Sequence, residues 1–396
     1  KRCCLESQVI VEIKGVEFEN KGASLMLYAI TDQITKMYSD AEFVLSPSEK
    51  SGFLERSKAL AWQKLALRKS WLDLNFLSYW VPQFLRQKLR RWGIVTEADV
   101  DIIIDASGFS YSDQWPSTLR IYHLKNELHR FFKKGKLYIF MPQAFGPFTQ
   151  KSSIKRIAKS FKYATMINAR DIYSFENICG IIGTAANVHQ NVDFTNLVKG
   201  HRLVKSGKTK KSACIVINKN MVNSRNSHLA WLDTYEDVVL KAIDCYQERG
   251  FIPFFLNHEG ADDRSLIDQI NNALVSPLSV VEEADPRVVK GIIAASDAVF
   301  CSRYHGCVSA LSSGIPCIGT SWSHKYDSLY DDYNAREFLL HANIEKAQLV
   351  KVIDASLAFS ARDKAMLDAR STELKDQSMA MWEYIKVLID SSNGHS

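Results

Sequence analysis

The chain has few of the features that place a protein quickly. None of its eight cysteines forms a C-x-x-C pair, and there is no N-x-S/T sequon, no G-x-G-x-x-G turn and no Walker A loop. Paired zinc ligands and the two common phosphate-binding fingerprints are thereby excluded. No apolar run approaches the roughly 18 residues of a membrane-spanning helix, which excludes a polytopic membrane protein. Nine prolines, 24% charged and 46% hydrophobic residues exclude a disordered, collagen-like or low-complexity chain. The cysteines (Cys3, Cys4, Cys179, Cys214, Cys245, Cys301, Cys307 and Cys317), several inside apolar runs such as ACIVIN and IPCIG, read as buried free thiols of a reducing compartment. These thiols and the missing sequon together make cytoplasmic the expected location.

What is present is 396 residues, enough for two or three domains with full cores. The net charge of +6 hides an asymmetry, +9 over residues 1–200 and −3 over residues 201–396. Much of the excess sits in 51–93, where nine Lys and Arg face two acids and four tryptophans, Trp62, Trp71, Trp80 and Trp92. The spacing predicts two amphipathic helices broken before Pro82. Such helices suit an anionic membrane surface; alternatively their apolar faces pack on the first domain and the charges are solvated. No nucleic-acid module accompanies the charge, so nucleic acid is not an expected partner.

Short apolar runs alternate with helical stretches along the chain. Strands are expected at 9–15, 41–46, 101–108, 136–143, 165–169 and 188–194, and again at 213–218, 251–258, 278–283, 297–302 and 315–321. Most runs are continuous rather than alternating, as in parallel strands covered on both faces. The fold class is therefore α/β: a Rossmann-like domain over 1–198, a basic linker at 199–211, and a second Rossmann-like domain over 212–396. A helix from about 360 to 390 is expected to cross back to the first domain. Ligands of open α/β sheets bind at the carboxyl ends of the strands, which here means a cleft between the domains.

The segment DAVFCSRYHGCVSALSSG (297–314) ends a strand and opens a helix. Arg303 and His305 thus sit on a strand-to-helix turn, where free N–H groups favour an anion. An arginine there can grip carboxylate or phosphate with two prongs, and His305 can bond a phosphate or move a proton. The alternative is a capping serine with an exposed arginine and a histidine satisfied by backbone. Lys325 follows the next strand, where it would add positive charge to the same edge or else stand in a solvated loop. In the first half, ASGFSYSD (106–113), MPQAFGPF (141–148) and INARDIYSF (167–175) occupy strand ends. Arg170 needs an anion, whereas Asp171 reads as a helix-start residue. No metal cluster stands out.

Together these motifs resemble the polysaccharide pyruvyl transferase family. The matching residues are Asn20 and Gly22; Gln143, Gly146 and Pro147; Ala169, Arg170, Asp171 and Ser174; Asp193 and Phe194; His258 with Asp262 and Asp263; and the run Ser302, Arg303, Tyr304, His305 and Gly306, followed by the Lys325 loop. The resemblance spans about residues 9–330. It implies a fold similar to GT-B glycosyltransferases, with two Rossmann-like domains facing a cleft. It also implies transfer of pyruvate from phosphoenolpyruvate to two sugar hydroxyls, without a cofactor or metal. The donor site would take Arg170, Arg303, Tyr304, His305, Gly306 and Lys325, with His305 catalytic. The acceptor, a glycan or lipid-linked oligosaccharide, would meet Ser107, Gly108, Gln143, Asp193 and His258. A lipid-linked acceptor would suit peripheral attachment to the inner membrane face through 51–93. Where the family has a Gly-Gly-Gly-type turn this chain has Asp105-Ala106-Ser107-Gly108, which would narrow the acceptor pocket. The competing functions are a GT-B nucleotide-sugar glycosyltransferase, which needs an acid for the ribose, and a non-enzymatic glycan-binding relative.

Overall fold

Branched apolar runs such as IVEIK and IIID bury nearly every side chain, and so become interior strands of parallel sheets. The computed structural model of the chain describes residues 9–113, 118–184, 186–201, 210–224, 226 and 228–393. Cys3, Cys4 and most of the expected linker lie outside the described residues. The chain divides into two compact units. One holds Met26–Phe194 with the described parts of Lys1–Phe18 and Met379–Ser396; the other holds Glu19–Leu25 and Thr195–Ser378.

The strands of the first unit are β1 (Ile10–Lys14), β2 (Glu42–Leu45), β3 (Ala61–Lys64), β4 (Arg68–Lys69), β5 (Leu72–Asp73), β6 (Ile94–Val95), β7 (Ile102–Asp105), β8 (Leu137–Gln143), β9 (Met166–Ala169) and β10 (Val188–Gln190). Its helices are α1 (Lys21–Met37, whose first turn is counted with the other unit), α2 (Phe53–Lys58), α3 (Gln83–Arg91), α4 (Thr118–Lys133), α5 (Lys151–Ser160) and α6 (Ile172–Ile182). Eight strands form one parallel sheet in the order β10-β9-β8-β7-β1-β2-β3-β6, while β4 and β5 make a separate hairpin. Chain order reverses between β1 and β7, which register Lys14 against Asp105. Phe131, Tyr138, Phe140, Phe145 and Phe161 close the core on one side, each burial contributing on the order of 1.5–3 kcal/mol.

Segment 51–93 departs from the expected pair of amphipathic helices. Helix is confined to α2, α3 and a 3₁₀ turn at Asn75–Trp80, while β3 joins the main sheet and β4–β5 forms the hairpin. The helical spacing misleads because some of the charges turn inward: Arg56 and Lys64 are buried, and so are not the solvated face of a helix.

The second unit contains β11 (Ser212–Val216), β12 (Ile252–Asn257), β13 (Val280–Glu282), β14 (Ala298–Cys301), β15 (Cys317–Thr320) and β16 (Leu339–Leu340). Its helices are α7 (Trp231–Glu248), α8 (Gly260–Asn272), α9 (Pro286–Ala294), α10 (Tyr304–Leu311), α11 (Lys325–Asp332), α12 (Lys346–Leu357) and α13 (Ala361–Asn393), the last ending among first-unit residues. The parallel order β13-β12-β11-β14-β15-β16 is that of a dinucleotide-type Rossmann sheet, with its switch point between β11 and β14. No helix among the described residues is long and apolar enough to cross a membrane.

Buried charge ties β1, β3 and the hairpin of the first unit to α4. Glu127 on α4 pairs with Lys14 and, at 2.8 Å, with Arg68; Glu12 pairs with Lys64. Burial alone would raise the Glu127 carboxyl, but Arg68, Lys14 and Lys64 override it and hold it well below the usual carboxylate range. A depressed folded-state value means stabilisation that is present above the unfolded value near 4.5 and lost as pH falls below it. Glu127→Ala, which leaves Lys14 with Glu12 at 4.0 Å and Arg68 with Asp73 at 3.5 Å, should therefore lower stability at pH 7 by about 1–3 kcal/mol in urea unfolding. The gap from wild type should narrow in acid. A loss near zero at pH 7 would show that the network carries no stability.

Candidate functional site

The richest polar arrangement stands at the switch point of the second sheet. Strand β14 ends at Cys301, and Ser302 N–H donates to the Val216 carbonyl across the switch at 2.7 Å. Ser302 is pinned from every side. Its hydroxyl bonds Tyr235 Oη (2.6 Å) and receives Thr320 Oγ1 (2.8 Å), and its carbonyl accepts from Asn218 Nδ2 (3.0 Å) and Tyr326 Oη (2.8 Å). The backbone is thereby fixed just where α10 starts. Gly306 has no room for a side chain, since a Cβ there would stand 2.5 Å from Cys301 Sγ.

Arg303 holds the N-cap position of α10 and is almost fully buried. Its Nε and Nη2 donate to the two oxygens of Asp263 at 2.8 and 2.5 Å, and its Nη1 pairs with Glu259. Asp263 also accepts the Lys219 N–H at 2.9 Å and sits in the first turn of α8, which Glu259 precedes. Burial pushes the Asp263 carboxyl up to about 8, against the pull of the Lys219 N–H, and the Arg303 guanidinium down to about 10. The arginine expected to grip a ligand is thus committed to two carboxylates. Asp263 is fully buried, whereas the Glu259 side chain retains 22% exposure.

His305, half-buried in the first turn of α10, meets the Asn20–Gly22 motif. Asn20 Oδ1 accepts the N–H of Gly22 (2.9 Å) and of Ala23 (3.3 Å), which caps α1. Gly22 lies so close to the His305 ring that a Cβ there would overlap Nδ1. Asn20 forms a β-bridge with Glu259, and Lys21 N–H donates to the His258 carbonyl at 3.3 Å. Burial, then the charges of Arg303, His305 and Lys21, holds the His258 imidazole well below its usual 6.5, so it is neutral at physiological pH. Lys325, at the start of α11, is buried against the rings of Trp322 (4.5 Å), Tyr304 (5.4 Å) and Tyr326 (5.7 Å). The second unit therefore brings Arg303, Tyr304, His305 and Gly306 together with Asn20, Gly22, Glu259, Asp263 and His258. His258, expected on the acceptor side, lies in the second unit beside Lys21, Arg303 and His305.

In the first unit, Arg170 follows β9 and pairs through Nη1 with Asp193 Oδ2 at 3.2 Å, both side chains being buried. Asp171 is the N-cap of α6, accepting the Ser174 N–H at 2.7 Å, and Ser174 Oγ receives the Phe145 N–H at 2.9 Å. A cavity of about 300 Å³ opens at the carboxyl ends of β1, β2, β3 and β7, lined by Glu12, Lys14, Lys64, Arg68, Asp105 and Glu127 among others. Ser107 lines it too, against Gly15, whose φ of +76° and closeness to the Ser107 backbone exclude a side chain. Gly108 and Gln143 serve the framework. The Gly108 carbonyl accepts the Ala144 N–H, and fully buried Gln143 donates to the Asp105 carbonyl at 3.2 Å. Among the described residues no group of three His, Cys, Asp or Glu is placed to hold a metal ion.

Sequence reasoning singled out Asp263 without a role and missed Glu259 and the Glu12–Glu127 network. A glutamate inside the strand run VIVEIKG was the available signal, because a charge there must be buried and paired.

Solved structures similar to the chain share its architecture at low identity. A UDP-GlcNAc 2-epimerase from Neisseria meningitidis bound to UDP-GlcNAc superposes with a TM-score of 0.55 at 10% identity, covering 96% of this chain and 99% of that one. The Anabaena protein HepE in complex with UDP gives 0.57 at 12% (97% and 100%), and the trehalose-6-phosphate synthase OtsA gives 0.52 at 9% (98% and 99%). These establish a two-domain, GT-B-like α/β fold and nothing about substrate. No curated protein matches the chain. The family model of polysaccharide pyruvyl transferases matches residues 20–324, from Asn20 through the turn at 302–306 to His324, and the chain belongs to that family of transferases.

Proposed function

We propose that the protein transfers pyruvate from phosphoenolpyruvate to two hydroxyls of one sugar residue in a polysaccharide or lipid-linked glycan, closing a cyclic ketal and releasing phosphate. The observation that carries this reading is the braced turn 302–306 at the switch point of the second sheet, inside the span matched by the family model. Phosphoenolpyruvate is a small ligand with a carboxylate and a phosphate, and it needs fixed cations and helix N–H groups rather than a nucleotide pocket. Arg303, Lys325 and the start of α10 supply them within the second unit. Asp263 keeps Arg303 aimed, and Glu259, the more exposed of its two carboxylates, occupies the prong that a donor anion takes over.

The chemistry balances without a cofactor. A proton adds to C3 of the enol ether, C2 becomes electrophilic, and the first sugar hydroxyl attacks it. The C2–O bond to phosphate then breaks, and the second hydroxyl closes the ring. Of the two hydroxyl protons, one replaces that spent on C3 and the other leaves with phosphate. His305 handles a proton beside the donor and steadies the departing phosphate. Neutral His258 adds no competing charge. The first-unit cavity takes the acceptor sugar. Its lining balances Glu12, Asp105 and Glu127 against Lys14, Lys64 and Arg68, which suits an uncharged polyhydroxyl ring. A nucleotide-sugar transferase shares the fold, but the Arg303–Asp263–Glu259 arrangement gives that reading no support.

Phosphate release and mass spectrometry of oligosaccharides incubated with phosphoenolpyruvate test the proposal directly. His305→Ala should lower kcat roughly 10²–10⁴-fold at saturating donor. Near-normal turnover in that variant would remove His305 from the mechanism. Glu259→Gln should lower the donor KM about fivefold, with kcat retained, because the competing carboxylate charge is gone. A raised KM would instead make Glu259 part of the donor site.

A further inference from the structure

Segment 53–92 holds 12 of the 24 large hydrophobic side chains that stand exposed among the described residues. Phe53, Leu60, Trp80 and Trp92 are 73%, 84%, 76% and 80% exposed. Exposed apolar residues scattered singly are ordinary, but their concentration in a tenth of the chain marks an interaction surface. Five of the nine basic residues of the segment do the opposite. Arg56 bonds the Ser51 carbonyl and Gln63, Lys64 bonds Glu12, Arg68 bonds Glu127, Arg86 bonds Asp99, and Arg90 bonds Glu42.

Helix α3 shows the inversion most plainly. Arg86 and Arg90, one turn apart, form the face tied to Asp99 and Glu42. At 100° per residue, Phe84, Lys88 and Arg91 fall on the opposite side, flanked by Leu85 and Trp92, and no residue of the helix is buried. An ordinary surface helix turns its apolar stripe to the core. This one is fastened by its charges and presents its aromatics. Leu60 adds a backbone observation: it holds a left-handed conformation (φ 53°) that disfavours leucine, at a turn where its side chain is almost wholly exposed.

We propose that segment 53–92 docks the protein on an anionic lipid bilayer. Trp80, Trp92, Phe53, Phe84 and Leu60 enter the boundary between headgroups and acyl chains, while the exposed cations Lys58, Lys69, Lys88 and Arg91 meet lipid phosphates. The segment carries nine basic residues against two acids, and this charge selects the occupant. A second copy of the chain would bring the same cations face to face, whereas an anionic leaflet neutralises them. The inference goes beyond the proposed chemistry, and its test makes no use of catalytic activity.

The test is co-sedimentation of the full chain with vesicles of phosphatidylcholine alone or mixed with phosphatidylglycerol, at low and high salt. Binding should require the anionic lipid and weaken with salt. Lys88→Glu with Arg91→Glu should reduce it by more than about tenfold. Leu60→Asn should also weaken binding while leaving the urea midpoint unchanged or higher, because asparagine tolerates the left-handed backbone. That separation distinguishes lost docking from lost folding. Three results would overturn the proposal: no sedimentation with anionic vesicles at low salt, equal binding to neutral vesicles, or sedimentation unaffected by the variants. A self-associated species that Trp80→Ser and Trp92→Ser dissociate, without vesicle binding, would assign the surface to a second copy instead.

Discussion

A guanidinium taken out of water survives only where carboxylates replace the lost solvent, and in this protein Asp263 does so for Arg303 with both oxygens. The pair joins the first turn of α8 to the N-cap of α10, so it sets the positions of two helix starts at once. From there the rest of the second-unit site follows. Glu259, one position before α8, reaches the third nitrogen of Arg303 and bridges to Asn20, and Asn20 caps the helix whose Gly22 lies against His305. Removing Asp263 would leave a buried charge at the head of the turn and loosen each of these in sequence. The bracing of Ser302 by Tyr235, Thr320, Asn218 and Tyr326 explains why the turn tolerates such charge without unwinding.

Both units use the same structural device to different ends. Each parallel sheet reverses its chain order once, between β1 and β7 in the first and between β11 and β14 in the second, and each reversal leaves a crevice at the strands' carboxyl ends. The first crevice is walled by balanced acids and bases with tyrosines beneath; the second concentrates Arg303, His305 and the start of a helix. Similar folds that carry UDP-sugars show that the architecture does not choose its ligand. Side chains at the two reversals do. In the proposed function those of the second unit take a small multiply charged anion rather than a base and ribose.

Much of this was legible in the amino-acid order. Continuous runs such as IIID and AVFC announced buried parallel strands, and Ser302-Arg303-Tyr304-His305-Gly306 stood out because charge and glycine follow such a strand directly. Asp171 was readable as a helix start because capping is a local property. Contacts between distant positions were not. Arg303 meets Asp263 across 40 residues and Glu12 meets Lys64 across 52, pairings that only sheet order creates. Segment 51–93 misled for a related reason: helical spacing assumes that charge faces water, and here Arg86, Arg90 and Lys64 face protein while tryptophans face out.

The most direct test of the proposed donor is calorimetric titration of the full chain with phosphoenolpyruvate and, in parallel, with UDP-glucose. Phosphoenolpyruvate should give saturable heat at one site per chain, lost in Arg303→Lys because an ammonium cannot reproduce the two-pronged contact, and UDP-glucose should give none. Saturable binding of UDP-glucose with no heat from phosphoenolpyruvate would contradict a pyruvyl donor site and return the protein to the nucleotide-sugar chemistry of its structural neighbours.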